Sequence, residues 1–127
     1  MRLARRSEFL DYLAEQLRFV AGLRIRRMFG GYGVFDDALM FAIVVDDTLY
    51  LKADAEVRGE FEARGLSPFT YTSQGKTNRL HYYEAPPEVF EEDAAMRIWV
   101  DKALGAALRQ GAKPKAARRA PNKSPPR

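Results

Sequence analysis

The stretch RMFGGYGVF, residues Arg27 to Phe35, decides the fold of this 127-residue chain. Gly30, Gly31 and Gly33 separate two short segments that carry large apolar side chains. Glycine tolerates a positive φ and lets a neighbouring backbone approach closely. The stretch therefore predicts two strands that bend sharply against each other.

Patterns for helices and strands continue on both sides of this stretch. Ser7 is a candidate N-cap for a first helix, and Gly22 ends that helix. Apolar periodicity and turn residues then predict strands at 25–29, 32–35, 39–45 and 48–53, a helix at 55–64, strands at 69–72 and 79–84, one helical turn at 88–90 and a last helix from 93 to about 109. Hairpin-linked strands with helices between them predict an α+β fold, a two-layer antiparallel β-sheet of about five or six strands in the order α-β4-α-β2-α.

Apolar spacing also predicts which surfaces are buried. The run from 39 to 45 is continuous, so its middle is expected to be covered on both faces of the sheet. Some strand tyrosines are expected to line the sheet face that lies away from the helices: Tyr32, Tyr50, Tyr71, Tyr82 and Tyr83. The first helix is expected to bury Phe9, Leu13, Leu17 and Val20, and the last helix Met96, Trp99, Val100, Ala103, Leu104 and Leu108.

The positive charge of the chain is concentrated near its C-terminal end. The net charge is +4, from 21 basic and 17 acidic residues, and six of the basic residues lie within 112–127, which contains no acid. The other residues therefore hold 15 basic and 17 acidic side chains. We expect a domain at 1–111 and a disordered basic tail at 112–127, because the tail is rich in proline and lacks large apolar residues. Nonspecific contact with DNA or RNA is predicted for Lys113, Lys115, Arg118, Arg119, Lys123 and Arg127.

Composition excludes several classes of protein. The chain contains no cysteine, so it has no disulfide, no thiolate metal site and no cysteine nucleophile. Asp11 and Glu15 interrupt the apolar residues near the N-terminus, and no apolar run reaches the length of a membrane-spanning helix. We therefore expect a cytoplasmic protein without membrane contact.

The glycine stretch is only superficially similar to two nucleotide-related motifs. A phosphate-binding loop needs its glycines between a strand and a helix, whereas strands are predicted on both sides here. The RNA-recognition signature has a basic residue and an aromatic residue where this chain has Gly30 and Val34. A tight strand-to-strand turn is the better interpretation.

No catalytic, metal-binding or cofactor-binding residue is predicted. His81, the single histidine, falls in a predicted strand, and a general base needs a nucleophile and an orienting group beside it. One histidine without cysteine leaves only carboxylates as further metal ligands. The acidic pairs 36–37 and 46–47 fall at predicted turns, where aspartate is favoured for local hydrogen bonding. Structural roles therefore explain these residues.

A set of spaced motifs carries a family resemblance. The motifs comprise Arg27, Met28, Phe29, Gly30, Gly31, Gly33, Met40, Phe41, Leu49, Tyr50, Lys52, Ala53, Asp54, Pro68, Phe69, Tyr71, Tyr82, Tyr83, Glu84, Pro86, Trp99 and Ala103. Through them the chain resembles the N-terminal domain of the TfoX/Sxy family, bacterial proteins tied to the regulation of natural competence. The resemblance spans residues 7 to 108 and implies a two-layer fold with an antiparallel sheet, similar to secretion-chaperone-like domains.

The resemblance also implies a biological role. It implies participation in the transcriptional control of DNA uptake, beside a DNA-bound activator. Competence-active members carry a second, C-terminal helical domain, so this chain is expected to be a stand-alone N-terminal domain with a basic tail instead. We assign structural roles to the motif residues Arg27, Met28, Phe29, Gly30, Gly31, Gly33, Tyr50 and Lys52.

Two functions from different classes follow. The first is a non-enzymatic regulatory or adaptor domain that works through protein contact, at an exposed sheet edge or at the tyrosine-bearing face. Its expected partner is a protein of the transcriptional-regulator type, and the chain itself is expected to be a monomer or a weak dimer. The alternative is a small-molecule-binding or enzymatic domain with a pocket near Tyr50, His81 and Tyr82.

Overall fold

A computed structural model describes residues 8–28 and 30–112 and confirms the predicted α+β class and element order. Six strands form one sheet, and three α-helices accompany it within the described part of the chain. The elements are α1 (Glu8–Gln16), β1 (Leu23–Met28), β2 (Gly31–Asp36), β3 (Leu39–Val45), β4 (Thr48–Lys52), α2 (Arg58–Ala63), β5 (Pro68–Ser73), β6 (Lys76–Glu84), a 3₁₀ turn (Pro87–Phe90) and α3 (Asp93–Ala112).

The sheet is antiparallel throughout, with the strand order β1-β2-β3-β4-β6-β5. Asp46 and Asp47 form the predicted two-residue turn between β3 and β4, and both have a positive φ, 52° and 56°. Gln74 and Gly75 connect β5 to β6 in the same way, with φ values of 53° and 80°. Positive φ at both central residues defines the turn whose twist matches that of a hairpin. The predicted loop 73–78 is therefore much shorter, and β5 and β6 are longer.

The glycine stretch joins β1 to β2 as an antiparallel pair, as predicted. Gly31 and Gly33 are required for close approach, since neither of them has a positive φ. A Cβ on Gly31 would overlap the carbonyl oxygen of Val44 on the neighbouring strand. A Cβ on Gly33 would lie 2.5 Å from the sulfur of Met28 and 2.8 Å from that of Met40. The missing side chains thus leave room for a backbone and for two methionines.

A β-bulge interrupts the pairing of β2 with β3. Val34 pairs with Ala42, but Phe35 pairs with Met40, so Phe41 is the extra residue. A bulge changes which side chains point to each face of a strand. Phe41 is fully buried in the core, while Met40 lies on the opposite face of the sheet.

The core lies between the helices and one face of the sheet. Leu49 and Leu51 of β4 alternate toward it. The helices contribute fully buried side chains to the same cluster, among them Leu10, Leu13, Phe61, Met96 and Val100. This helix-covered face accounts for the described core, and the arrangement has two layers.

Three packing predictions need correction. α1 ends at Gln16, not at Gly22. After Gln16 the chain forms turns, in which the Val20 amide donates a hydrogen bond to the Leu17 carbonyl (2.9 Å). The side chains of Leu17 and Val20 nevertheless remain buried. Leu108 is 60% exposed, and the buried positions on that part of α3 are Ala106 and Ala107. In residues 8–28 and 30–112, helices cover the continuous run of β3 on one face only.

A carboxylate and a guanidinium connect the last helix to the turn before α2. Arg109 donates from Nε and Nη2 to the two carboxylate oxygens of Asp54, at 2.6 and 3.0 Å. The hydrogen bond from Arg109 is the main cause of the lowered pKa of Asp54. Asp54 also accepts from the amides of Glu56 and Val57, so it caps this turn. The helix α2 itself begins at Arg58, three residues later than the predicted start at 55.

Candidate functional site

The sheet face away from the helices is open and largely apolar, and we call it the open face. Alternation along the strands directs Ile43 and Val45 of β3 to this face, while Ala42 and Val44 point to the helices. Among the described residues, no helix packs against the open face.

A cavity of about 560 Å³ lies on the open face. Its described lining contains no charged residue and consists of Met28, Gly30, Gly31, Tyr32, Met40, Ile43, Val45, Phe69, Tyr71, Leu80 and Tyr82. A volume between about 300 and 1,000 Å³ with an apolar lining is typical of ligand pockets. The cavity is therefore the candidate functional site.

Both edges of the sheet contribute to this cavity. Met28 belongs to β1, the strand at one edge, and Phe69 and Tyr71 belong to β5, the strand at the other edge. Flat sheets place such residues far apart, since neighbouring strands are about 4.8 Å apart. The sheet is consequently curved into a trough, in agreement with the bulge at Phe41.

Tyr82 is the most deeply buried polar side chain that lines the cavity. It is 5% exposed, and burial raises the pKa of its phenol to about 12. Within the described residues its hydroxyl has no hydrogen-bond partner. The neighbouring Tyr83 differs, because its hydroxyl donates to a carboxylate oxygen of Glu62 at 2.7 Å. Tyr83 lies in the helix-covered core.

Lys52 lies beside the lining residue Tyr82 on the open face and is not itself a lining residue. The two residues pair across β4 and β6, and the Lys52 ammonium is 5.0 Å from the centre of the Tyr82 ring. Burial lowers the pKa of Lys52, against a smaller opposing effect of the Asp54 charge. In the part of the chain that the structure describes, Lys52 has no ion pair. Asp54 is engaged by Arg109 instead.

The motif residues predicted to be structural largely gather around the cavity. Met28, Gly30 and Gly31 line it, and Gly33 lies beneath the sulfurs of Met28 and Met40. Lys52 lies beside the lining residue Tyr82, and Tyr50 packs edge-on against the lining residue Phe69, with ring centres 5.1 Å apart. The exposed Arg27 guanidinium lies 5.9 Å from the centre of the Tyr32 ring. Phe29 lies outside the described residues.

The predicted pocket near Tyr50, His81 and Tyr82 is only partly correct. Tyr82 lines the cavity, but Tyr50 does not. His81 is exposed and, as the neighbour of Tyr82 in β6, points to the opposite face of the sheet.

The sequence analysis missed several lining residues, above all Met40, Leu80 and Phe69. A period of two would have indicated Leu80 with Tyr82 and Phe69 with Tyr71, because alternate strand residues share a face. Met40 was hidden by the bulge. The six tail residues predicted to contact nucleic acid lie outside the described residues.

No cluster of three or more histidine, cysteine or acidic side chains that could hold a metal ion occurs in residues 8–28 and 30–112. None of the helices described there is long and apolar enough to cross a membrane.

Comparisons with known proteins identify the family. The chain is 34% identical over 70 residues to the DNA transformation protein TfoX1 of Aliivibrio fischeri (strain ATCC 700601 / ES114), a match that covers 55% of this chain and 33% of that protein. The chain thus matches about a third of the length of this relative. The profile of the TfoX N-terminal domain matches residues 15–107, which include every cavity-lining residue described above. The chain belongs to the TfoX N-terminal domain family.

Proposed function

We propose that this domain is a non-enzymatic regulatory domain that acts in DNA transformation by contact with a transcriptional regulator. The observation that carries this proposal is the family match over residues 15–107. A relative in the same family is named a DNA transformation protein. The domain would therefore influence DNA uptake through its partner and not through a reaction of its own.

The composition of the cavity supports a role without catalysis. Its described lining offers phenols, thioethers and hydrocarbon, and no carboxylate or imidazole. General acid–base chemistry needs a group that exchanges protons near the working pH. The nearest candidate, Tyr82, has a pKa of about 12, so its proton stays in place at neutral pH.

The outer edge of β5 is the surface that best fits protein contact. β5 has no charged side chain, and its residues from Thr70 to Ser73 are exposed. An extended segment of a partner adds to such an edge by main-chain hydrogen bonds. The opposite edge, β1, carries the exposed residues Arg24, Arg26 and Arg27, and charges at an edge oppose strand addition. We therefore place the partner on β5.

The hairpin geometry identifies the backbone groups that are available. Ser73 and Lys76 flank the two-residue turn and pair with each other, as Tyr71 pairs with Asn78. Flanking residues of such a turn form the hydrogen-bonded pair, and hydrogen-bonded and open pairs alternate along the ladder. The amides of Thr70 and Thr72 consequently point away from β6, toward a partner.

A genetic test follows from this geometry. Deletion of the coding sequence in the source organism is expected to reduce transformation frequency and the transcription of DNA-uptake genes, and the wild-type chain restores both. Thr72→Pro removes one outward amide and should fail to restore them, because proline lacks the donor. Thr72→Val keeps the amide and serves as the matched control.

Two results would contradict the proposal. A deletion strain with normal transformation and normal uptake-gene transcription rules out the regulatory role. Full restoration by Thr72→Pro, with the altered chain present at the wild-type level, rules out the β5 contact and leaves the regulatory role standing.

Nucleic-acid contact by the basic tail is a separate part of the proposal. Six positive charges within residues 113–127 would give salt-sensitive, sequence-independent retention of DNA. A chain without residues 113–127 is expected to lose retention in a low-salt gel-shift titration and to keep its melting temperature, because the described helix α3 ends at Ala112. Equal retention by the shortened chain would contradict nucleic-acid contact by the tail.

A further inference from the structure

The cavity on the open face contains a polar group without a partner among the described residues, as well as apolar surface. Tyr82 is 5% exposed, and no described residue hydrogen-bonds to its hydroxyl. A buried polar group without a partner costs about 1–3 kcal/mol. A phenylalanine in place of Tyr82 would fill nearly the same space without that cost. The hydroxyl is explained if an occupant of the cavity supplies the missing partner.

The charge beside Tyr82 indicates the chemistry of that partner. Lys52 is half-buried, faces the same side of the sheet and has no carboxylate partner in the described residues. Glu84 is the nearest acid on this face in β6, but it is exposed and pairs with Tyr50. Asp54 is held by Arg109. An acceptor with negative charge would satisfy the ammonium and the phenol together.

The remaining lining indicates an apolar body for the occupant. Met28, Met40, Tyr71 and Leu80 line the cavity and carry no charge. Methionine adapts its shape to varied apolar partners. A helix has a diameter of about 10–12 Å with side chains, so little more than one turn would fill about 560 Å³. A small molecule fits better than a helix of a protein partner.

We propose that the cavity binds a small apolar carboxylate, with its hydrocarbon among Met28, Met40 and Leu80 and its carboxylate between Lys52 and the Tyr82 hydroxyl. Ligand binding is measured on the isolated chain. The result of that measurement therefore does not depend on whether a partner contacts the β5 edge.

The test uses the full chain and sodium decanoate in isothermal titration calorimetry. Decanoate is expected to bind at one site and about tenfold more tightly than decyltrimethylammonium, which has the same chain length and the opposite charge. Binding of the cation with equal affinity, or no saturable binding of decanoate, would overturn the proposal.

Variants assign the two polar contacts. Lys52→Gln is expected to weaken decanoate binding by about tenfold and to leave the binding of neutral decanol unchanged. Tyr82→Phe is expected to weaken decanoate binding by about threefold to tenfold. Tyr83→Phe removes the neighbouring hydroxyl on the helix-covered face and should leave the affinity unchanged. Equal affinity for decanoate in the wild type, Lys52→Gln and Tyr82→Phe would refute the assignment.

The position of the ligand is tested with methionine methyl resonances. Decanoate should shift the signals of Met28 and Met40, which line the cavity, and leave that of Met96, which is fully buried among the helices. A shift confined to Met96 would place the ligand in the core and contradict the proposed site.

Discussion

The two faces of the sheet are made by alternate residues of the same strands, yet they differ in how they are filled. The helix-covered face is packed with aliphatic and aromatic side chains, and the Tyr83 hydroxyl on it donates to Glu62. The open face leaves a cavity and an unpartnered phenol. Tyr82 and Tyr83 show the difference within one dipeptide. Stability depends on the first face, and we infer that binding depends on the second.

The largest difference in stability between the faces is expected when one phenylalanine on each face is replaced by alanine. Phe61 is fully buried and lies 5.5 and 5.0 Å from the ring centres of Tyr83 and Trp99. Phe61→Ala should lower the free energy of unfolding by about 3–5 kcal/mol. Phe69→Ala, on the open face, should cost less than about 1.5 kcal/mol, because its side chain is already partly exposed. Urea unfolding measures both, and equal losses would contradict the comparison.

A second prediction concerns the glycines, which lie on the open face. Gly31→Ala should cost about 1–3 kcal/mol, because its Cβ would overlap the backbone carbonyl oxygen of Val44, which cannot move aside. Gly30→Ala is the control and should change the free energy of unfolding by less than about 0.5 kcal/mol, since no described atom lies within 4 Å of the new Cβ. Similar costs for both would show that close approach is not the reason for Gly31.

The third prediction has opposite signs on the two faces. Tyr83→Phe should lower the free energy of unfolding by about 1 kcal/mol, since it removes the hydrogen bond to Glu62. Tyr82→Phe should leave it unchanged or raise it by up to about 1 kcal/mol, because the lost hydroxyl has no partner among the described residues. A side chain whose removal stabilises the protein but weakens ligand binding is typical of a functional site. A loss for Tyr82→Phe as large as that for Tyr83→Phe would contradict this difference.

The smallest expected effect appears only in alkali. Burial raises the pKa of Tyr82 from 10.0 to about 12, so the folded protein keeps this proton when the unfolded chain has released it. This proton therefore leaves stability unaffected below pH 10, and stability falls as the pH rises from 10 to 12. Absorbance at 295 nm should show a late tyrosinate step that is missing in Tyr82→Phe. An identical titration curve for the variant would contradict the raised pKa.

The order of elements could be predicted because turn residues punctuate the strands. β3 was predicted with its observed bounds, since acidic pairs flank the apolar run on both sides. The two-residue turn at Gln74 and Gly75 was harder to predict, because the polar residues on both sides of it are also typical of a longer loop. The end of α1 was wrong because Leu17 and Val20 remain buried in turns that continue the helical spacing.

The cavity could not be predicted from local patterns alone. Its lining combines Met28 and Phe69, which belong to strands at opposite edges of the sheet. Only the curvature of the sheet brings them together, and curvature depends on strand order and register. The family motifs indicated the right residues, such as Lys52 and Tyr82, but not that they share one face with Met28. The placement of His81 was wrong because neighbouring strand residues point in opposite directions.

The bulge at Phe41 determines which side chains of β3 face the cavity and which face the core. Strict alternation would place Met40 on the same side as Ala42 and Val44, among the helices. The extra residue turns Met40 toward the cavity and gives Phe41 to the core. Regular pairing without the bulge would exchange these destinations, although the strand would contain the same residues. The binding surface is therefore specified by a residue count as much as by residue types.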